Sequence, residues 1–121
     1  MPSRERVQGL VGLIEAGKFI EALQQFYLDD ASMQENVTPP RRGLATLVAH
    51  ERGVMGQFKQ ITARQLDGVF IAGDRVVMRW RFEFTRADGG KLMLDELSYQ
   101  LWRGDRVAEE RFYYDPGQLK G

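Results

Sequence analysis

At Gly56 the hydrophobic spacing of this chain changes from a period of 3.6 residues to a period of 2, and it does not change back. Upstream, Val7, Leu10, Val11 and Ile14 recur at helical spacing through residues 4–16, and Gly17 follows as a stop signal. A second helix beginning near Lys18 stripes Phe19, Ala22, Leu23 and Phe26 along one side and ends at Leu28-Asp29-Asp30. Ala31 to Asn36 reads as a short extended segment. Thr38-Pro39-Pro40 then breaks the chain, because proline keeps the residue before it out of the helical region. A third helix is expected from about Arg42 to Met55. Downstream, Phe58 to Phe70, Val76 to Thr85, Leu92 to Trp102 and Val107 to Tyr114 alternate as strands. Glycine-bearing turns at 72–75, 87–90 and 103–105 join them, and Asp115-Pro116-Gly117 is expected to end the ordered chain. Helices first and a meander after predict an α+β fold, with the helices packed on one face of a curved antiparallel sheet.

A chain of 121 residues is expected to form a single domain spanning 1–121. Its 17 basic and 17 acidic side chains cancel, so nothing electrostatic calls for nucleic acid or an anionic membrane as a partner. The absence of cysteine excludes disulfides, thiol nucleophiles and zinc-thiolate sites. The opening M-P-S-R-E-R-V-Q has no apolar leader, and no apolar run approaches bilayer length, so a cytoplasmic location is expected.

Polar residues in apolar company mark the candidate site. On the third helix Leu44, Leu47, Val48, Met55 and Phe58 form one stripe with Glu51 near its middle, while His50 and Arg52 point elsewhere. A carboxylate among core leucines is costly unless it is paired, hydrogen-bonded, protonated or facing a cavity; fraying of the helix end is the simpler alternative. In the strands, Met78, Trp80, Phe82 and Phe84 share a face. Hairpin parity carries that face to Leu92, Leu94, Glu96, Ser98, Gln100 and Trp102, and then to Ala108, Glu110, Phe112 and Tyr114. Leu97, Tyr99, Leu101 and Tyr113 fall on the opposite face as an apolar patch that a partner subunit would cover. One β-bulge would swap the faces beyond it and turn Asp95 and Arg111 inward in place of Glu96 and Glu110.

The short segment places Met33 and Glu35 together, so Glu35, Glu51, Glu96 and Glu110 can converge with Gln100 and Trp102 on one aromatic-lined pocket. Carboxyls sharing a space of low dielectric raise one another's pKa, which lets one act as base or donor near neutral pH. The same carboxyls would suit a hard divalent cation, but no compact acidic loop is present, and no metal or cofactor is expected. Tyr27 reads as core packing at the pocket edge, and His50, Arg41 and Arg42 as solvated residues.

Two strings carry a resemblance. Y-L-D-D-A-S-M-Q-E-N at 27–36 is similar to a helix-end entry into a first strand, and W-R-G-D-R-V-A-E-E-R-F-Y-Y-D-P at 102–116 to a closing hairpin, both of the SnoaL-like branch of the nuclear transport factor 2-like superfamily. That superfamily includes ketosteroid isomerases and limonene epoxide hydrolases. The resemblance implies a cone-shaped α+β domain in which three N-terminal helices close the concave face of a strongly bent sheet over a deep pocket. It also implies homodimers through the outer sheet face. The position of the isomerases' general base, counted along D-D-A-S-M-Q-E from Asp29, falls at Glu35. Their helix-one tyrosine falls near Leu10 and their protonated aspartate near Ser98, with Glu96 two residues earlier. The epoxide hydrolases' Asp-Arg-Asp arrangement finds no match.

Two functions are therefore expected. One is a non-catalytic module that binds a small apolar or carbonyl-bearing ligand or assembles as a dimer. The other is an isomerase, cyclase or dehydratase with Glu35 as base and Glu96 or Glu110 as proton donor. In either, Gln100 would orient the ligand, with Glu51, Trp102, Trp80, Phe82, Phe112 and Tyr114 around it.

Overall fold

The computed structural model describes residues 1–120. Three helices precede most of the sheet: α1 (Arg4–Glu15), α2 (Phe19–Phe26) and α3 (Leu44–Gln57). Ser3 caps α1 by accepting the Arg6 amide at 3.0 Å. Past its end, Gly17 at φ +77° lets the Gly17 and Lys18 amides close back onto the carbonyls of Ile14 and Leu13. Of six strands, five follow the expected order with shifted ends, β1 (Tyr27–Glu35), β3 (Gln60–Ala72), β4 (Arg75–Thr85), β5 (Lys91–Arg103) and β6 (Arg106–Tyr113), and the two-residue β2 (Arg41–Arg42) is unexpected.

They form one sheet in the order β2-β1-β6-β5-β4-β3. The sheet is mixed, not antiparallel throughout, because β1 runs parallel to β6. A parallel pair needs a crossover, and here everything from β2 to β5 serves as one. The strand also begins earlier than expected. Tyr27 is already extended and Asp29-Asp30 lies inside β1, where an irregularity between Tyr27 and Ser32 leaves both aspartates exposed. Helix α3 starts later than expected, since Arg41 and Arg42 pair with Met33 and Ser32, and Gly43 at φ +94° cannot continue a helix.

Two bulges bend the sheet, one at Asp67-Gly68 in β3 and one in β6 where Leu101 faces Glu109 and Trp102 faces Val107. The second turns both Val107 and Ala108 inward without disturbing the parity of Glu110. Between β4 and β5 the register runs without a shift, so Glu96 points to the concave side and Asp95 to the convex side. There Asp95 accepts two bonds from Arg79, at 3.0 and 2.6 Å, while Arg79 also reaches Asp67 at 3.1 Å.

The core lies between helices and concave face. Val7, Leu10 and Val11 of α1 and Ala22, Leu23 and Phe26 of α2 pack with Met78, Trp80, Trp102 and Val107. A smaller cluster of Phe84, Leu92 and Leu94 fills the far end with Phe58 and Ile61. Only Leu47 of α3 is buried outright, because the rest of the inner side of that helix covers a cavity. The chain stays ordered past Asp115 as a short 3₁₀ turn, Pro116–Leu119. There Gln118 accepts the Asp95 amide at 2.8 Å and donates to the Asp95 carbonyl at 3.2 Å, standing in for a strand neighbour where β6 has ended.

Candidate functional site

A cavity of about 160 Å³ lies under α3. One wall is the aromatic row of β4, Trp80, Phe82 and Phe84, whose ring centroids are 5.9 and 6.1 Å apart in succession. Strand β5 adds Leu94 and Glu96, and β6 adds Glu110 and Phe112. The opposing wall comes from Phe19, Ala22 and Leu23 of α2, Glu51 and Val54 of α3, and Tyr27, Met33 and Glu35 of β1. Arg41 and the exposed His50 stand at the rim.

Glu110 is the most enclosed of the acids, 4 % exposed. Tyr27 donates its hydroxyl to one carboxyl oxygen. Ser98 Oγ donates to the other at 2.5 Å, and Gln100 Nε2 donates to the same oxygen at 2.7 Å. Trp102 sets the polarity of this chain of bonds. Its indole N–H can only donate, at 2.9 Å to Gln100 Oε1, which leaves the amide nitrogen of Gln100 to face Glu110. Burial pushes Glu110 above the usual carboxylate range, and the three donors pull it back part of the way. Burial, then the neighbouring Glu110, raises the Tyr27 hydroxyl well above its ordinary value, so Tyr27 keeps its proton.

Glu96 has none of this support. It is 7 % exposed, faces the cavity, and has no hydrogen bond or ion pair among the described residues. Burial first, then Glu110, Glu35 and Glu51, push it up to about 8. Glu51 sits one helical turn beyond Leu47 and Val48 on the cavity side of α3, and it too is raised, by burial and then by Glu110. Glu35 meets Arg41 at 3.3 Å near the mouth, with 36 % of its side chain exposed. The Nε of Arg41 is buried and without a hydrogen-bond partner.

Of the residues singled out from sequence, the fold brings Glu35, Glu51, Glu96, Glu110, Trp80, Phe82 and Phe112 to the cavity wall. Gln100 and Trp102, expected against the ligand, stand one layer behind it at 1 % exposure each, where they hold Glu110. Tyr114 packs beside Phe84 and Leu94 rather than in the wall. Three lining residues carried a different expectation. Tyr27 is a hydroxyl donor rather than mere packing, Arg41 is an ion-pair partner, and His50 is exposed yet edges the mouth. The double arginine after two prolines marked Arg41, but its pairing with Met33 in β2 is a tertiary event.

Among the described residues no group of three or more His, Cys, Asp or Glu side chains is arranged to hold a metal ion. No helix among them is long and apolar enough to cross a membrane.

The same architecture recurs in known proteins. An NTF2-like protein of unknown function from Burkholderia pseudomallei superposes with a TM-score of 0.83 at 13 % identity, over 97 % of this chain and 95 % of its own. TerC, co-crystallised with polyporic acid, gives 0.81 at 15 % identity over 96 % and 93 %. A candidate SnoaL-like polyketide cyclase from Mesorhizobium loti gives 0.78 at 22 % identity over 94 % and 100 %. At such identities these likenesses establish the fold, a cone of three helices on a curved mixed sheet. A comparison with curated proteins finds no match. The family model for the SnoaL-like domain matches residues 7–110, from the first buried valine of α1 to the buried carboxyl of Glu110 in the cavity wall, and this chain belongs to that family.

Proposed function

We propose that this protein binds a compact, largely apolar small molecule in the cavity beneath α3, with the Glu96 carboxyl meeting the polar group of the ligand. The observation that carries this reading is the condition of Glu96, buried and without a partner at the end of an aromatic wall. A buried polar group left unpaired costs stability, and a ligand that completes it recovers that cost. The volume argues for a small occupant. Pockets for drug-sized ligands run roughly 300–1,000 Å³. A space of about 160 Å³ suits one or two rings. That TerC, which shares this fold, was co-crystallised with polyporic acid supports a small-molecule reading. The test is a thermal-shift screen of compact aromatic and alicyclic compounds against the wild type and Glu96→Gln. Hits that stabilise the wild type and lose their effect in the variant are expected; hits indifferent to Glu96→Gln would sink the assignment.

A second reading, proton-transfer catalysis of the isomerase, cyclase or dehydratase kind, is favoured by the pKa of about 8 at Glu96. A carboxyl neutral at pH 7 but close to titrating can give and take a proton. Glu35 holds the position that the family resemblance gives to the base, but Arg41 engages it at 3.3 Å. In this reading Glu96 is therefore the donor, and Glu35 serves as base only when that pair opens. Turnover of an apolar carbonyl compound should then fall by about a hundred-fold in Glu96→Gln, as general acid–base groups contribute on that order. Both readings include a cytoplasmic homodimer formed through the convex sheet face.

A further inference from the structure

The cavity holds more hydrogen-bond acceptors than donors, and the donors without a partner, Arg41 Nε and the His50 ring, stand at its rim rather than beside Glu96. Four carboxyls face it, those of Glu35, Glu51, Glu96 and Glu110. Its one guanidinium, Arg41, is paired with Glu35 at the rim. The Tyr27 hydroxyl, which could greet a carbonyl oxygen, is already given to Glu110, as are Ser98 and Gln100. That leaves Glu51 and Glu96 facing the same space with no salt bridge and no side-chain hydrogen bond among the described residues, although the Arg41 charge is felt at Glu51. Beside them runs the row of Trp80, Phe82 and Phe84, with Phe19 and Phe112 nearby.

Aromatic rings attract cations over their faces, most strongly where water is excluded. Carboxylates in the same space add a full opposite charge. Resting on the small-molecule reading above, we infer that the polar group of the ligand is a cation: an ammonium on a one- or two-ring apolar body, held by Glu96 and Glu51 against the β4 aromatics. A neutral ligand would leave the carboxyls needing protons from solvent, whereas an ammonium replaces those protons. The buried, unpartnered Glu96 supplies the counter-charge, and the apolar wall accepts the rest of the ligand.

Binding of such a cation releases a proton from the site, so its affinity rises with pH through the titration of Glu96 near 8. The charged and titratable groups packed around Glu96 are Glu35, Tyr27 and Arg41 from β1 and β2, Glu51 and His50 from α3, and Glu110 and Tyr114 from β6 and beyond. His50 lies below its usual value through burial and the nearby Arg41, and Tyr27 and Tyr114 are raised, so none of these three changes charge between about pH 7 and about pH 8.5.

The probes are trimethylphenylammonium, whose charge is permanent, 2-phenylethylamine, and the neutral 2-phenylethanol, each titrated calorimetrically into wild-type protein, Glu96→Gln and Glu51→Gln. Both cations are expected to bind about ten-fold more tightly than the alcohol at pH 8.5, given the strength of charge-assisted contacts. Trimethylphenylammonium should gain affinity from pH 7 to 8.5, and Glu96→Gln should lose most of the advantage that the cations hold over the alcohol. Thermal melting confirms that the Gln variants are folded. If the alcohol binds the wild type as well as the cations do and all three weaken alike in Glu96→Gln, the cation inference falls while the pocket reading stands. If none of the three binds and no compact neutral compound does so either, both fall.

Discussion

Glu96 concentrates the physics of this molecule in one side chain. Unfolded, its carboxyl titrates near 4.5; folded, burial and the facing acids hold its proton to about 8. Between those values the folded state binds the extra proton, so stability is highest below the window and declines as pH rises through it. A fully titrating group of this kind loses about 1.4 kcal/mol per pH unit. Glu51 and Glu110, shifted in the same direction, add to the decline. Glu96→Gln removes one ionisable member of the set. Its melting temperature should therefore gain on the wild type steadily from pH 5 to pH 8, a comparison that a melting series at several pH values reads directly. Tyr27 is the opposite case, a group whose partner is already present. Tyr27→Phe takes one of three donors from Glu110 and should cost about 1–2 kcal/mol in denaturant unfolding. A loss within error would mean that Ser98 and Gln100 suffice.

At the scale of the elements, α3 and its approach decide whether there is a cavity at all. Gly43 adopts φ +94° between the two-residue strand β2 and the first turn of α3, and its amide donates to the Ala31 carbonyl at 2.8 Å. A side chain there is strained by its backbone, since this region is costly for L-residues. Gly43→Ala should lower stability by about 1–2 kcal/mol. It should also loosen α3 over the cavity, seen as faster amide exchange in residues 44–57 than in β4; equal acceleration everywhere would argue against a local role. Helices α1 and α2 and strands β4 and β5 were legible in the sequence because each buries one side, which leaves a clean period, while β3 and β6 kept enough alternation to be read across their bulges. Strand β1 was half hidden: Asp29-Asp30 reads as a helix end, and pairing with β6, some 70–80 residues downstream, overrides that local signal. The run across the two prolines concealed β2 for the same reason, since two residues become a strand only by finding Ser32 and Met33.

For the whole molecule, the two faces of the sheet have different prospects. The concave face is covered by helices. The convex face exposes Leu97, Tyr99 and Tyr113, with Met93 near them, each between 38 % and 46 % exposed. Arg75 and Arg111 lie over the rings of Tyr99 and Tyr113, at 5.4 and 4.8 Å from the centroids, and the Arg79–Asp95–Asp67 cluster flanks the patch. If two copies of the chain associate through this face, Leu97→Glu should halve the mass measured by light scattering and leave ligand binding in the cavity unaltered. A wild-type protein already of monomer mass would remove the dimer from the account.

The amino-acid order by itself determined that this chain is α+β, helices on a curved sheet, and that acids and aromatics share one face of that sheet. The first follows from periodicity, which is local, and the second from hairpin parity, while the cone shape follows only from the resemblance to the SnoaL-like family. It also placed Glu51 among leucines. What only the tertiary structure decided is which acids are satisfied and which are left over. Trp102, Gln100, Ser98 and Tyr27 come from β5 and the start of β1, yet they all serve Glu110. Arg41 arrives from β2 to take Glu35, and nothing arrives for Glu96. Hydrogen-bond partners are set by distances across the fold, and no spacing along a chain records them. The difference between Glu96 and Glu110, two glutamates on one face of neighbouring strands, therefore exists only once β1, β5 and β6 have come together in the sheet.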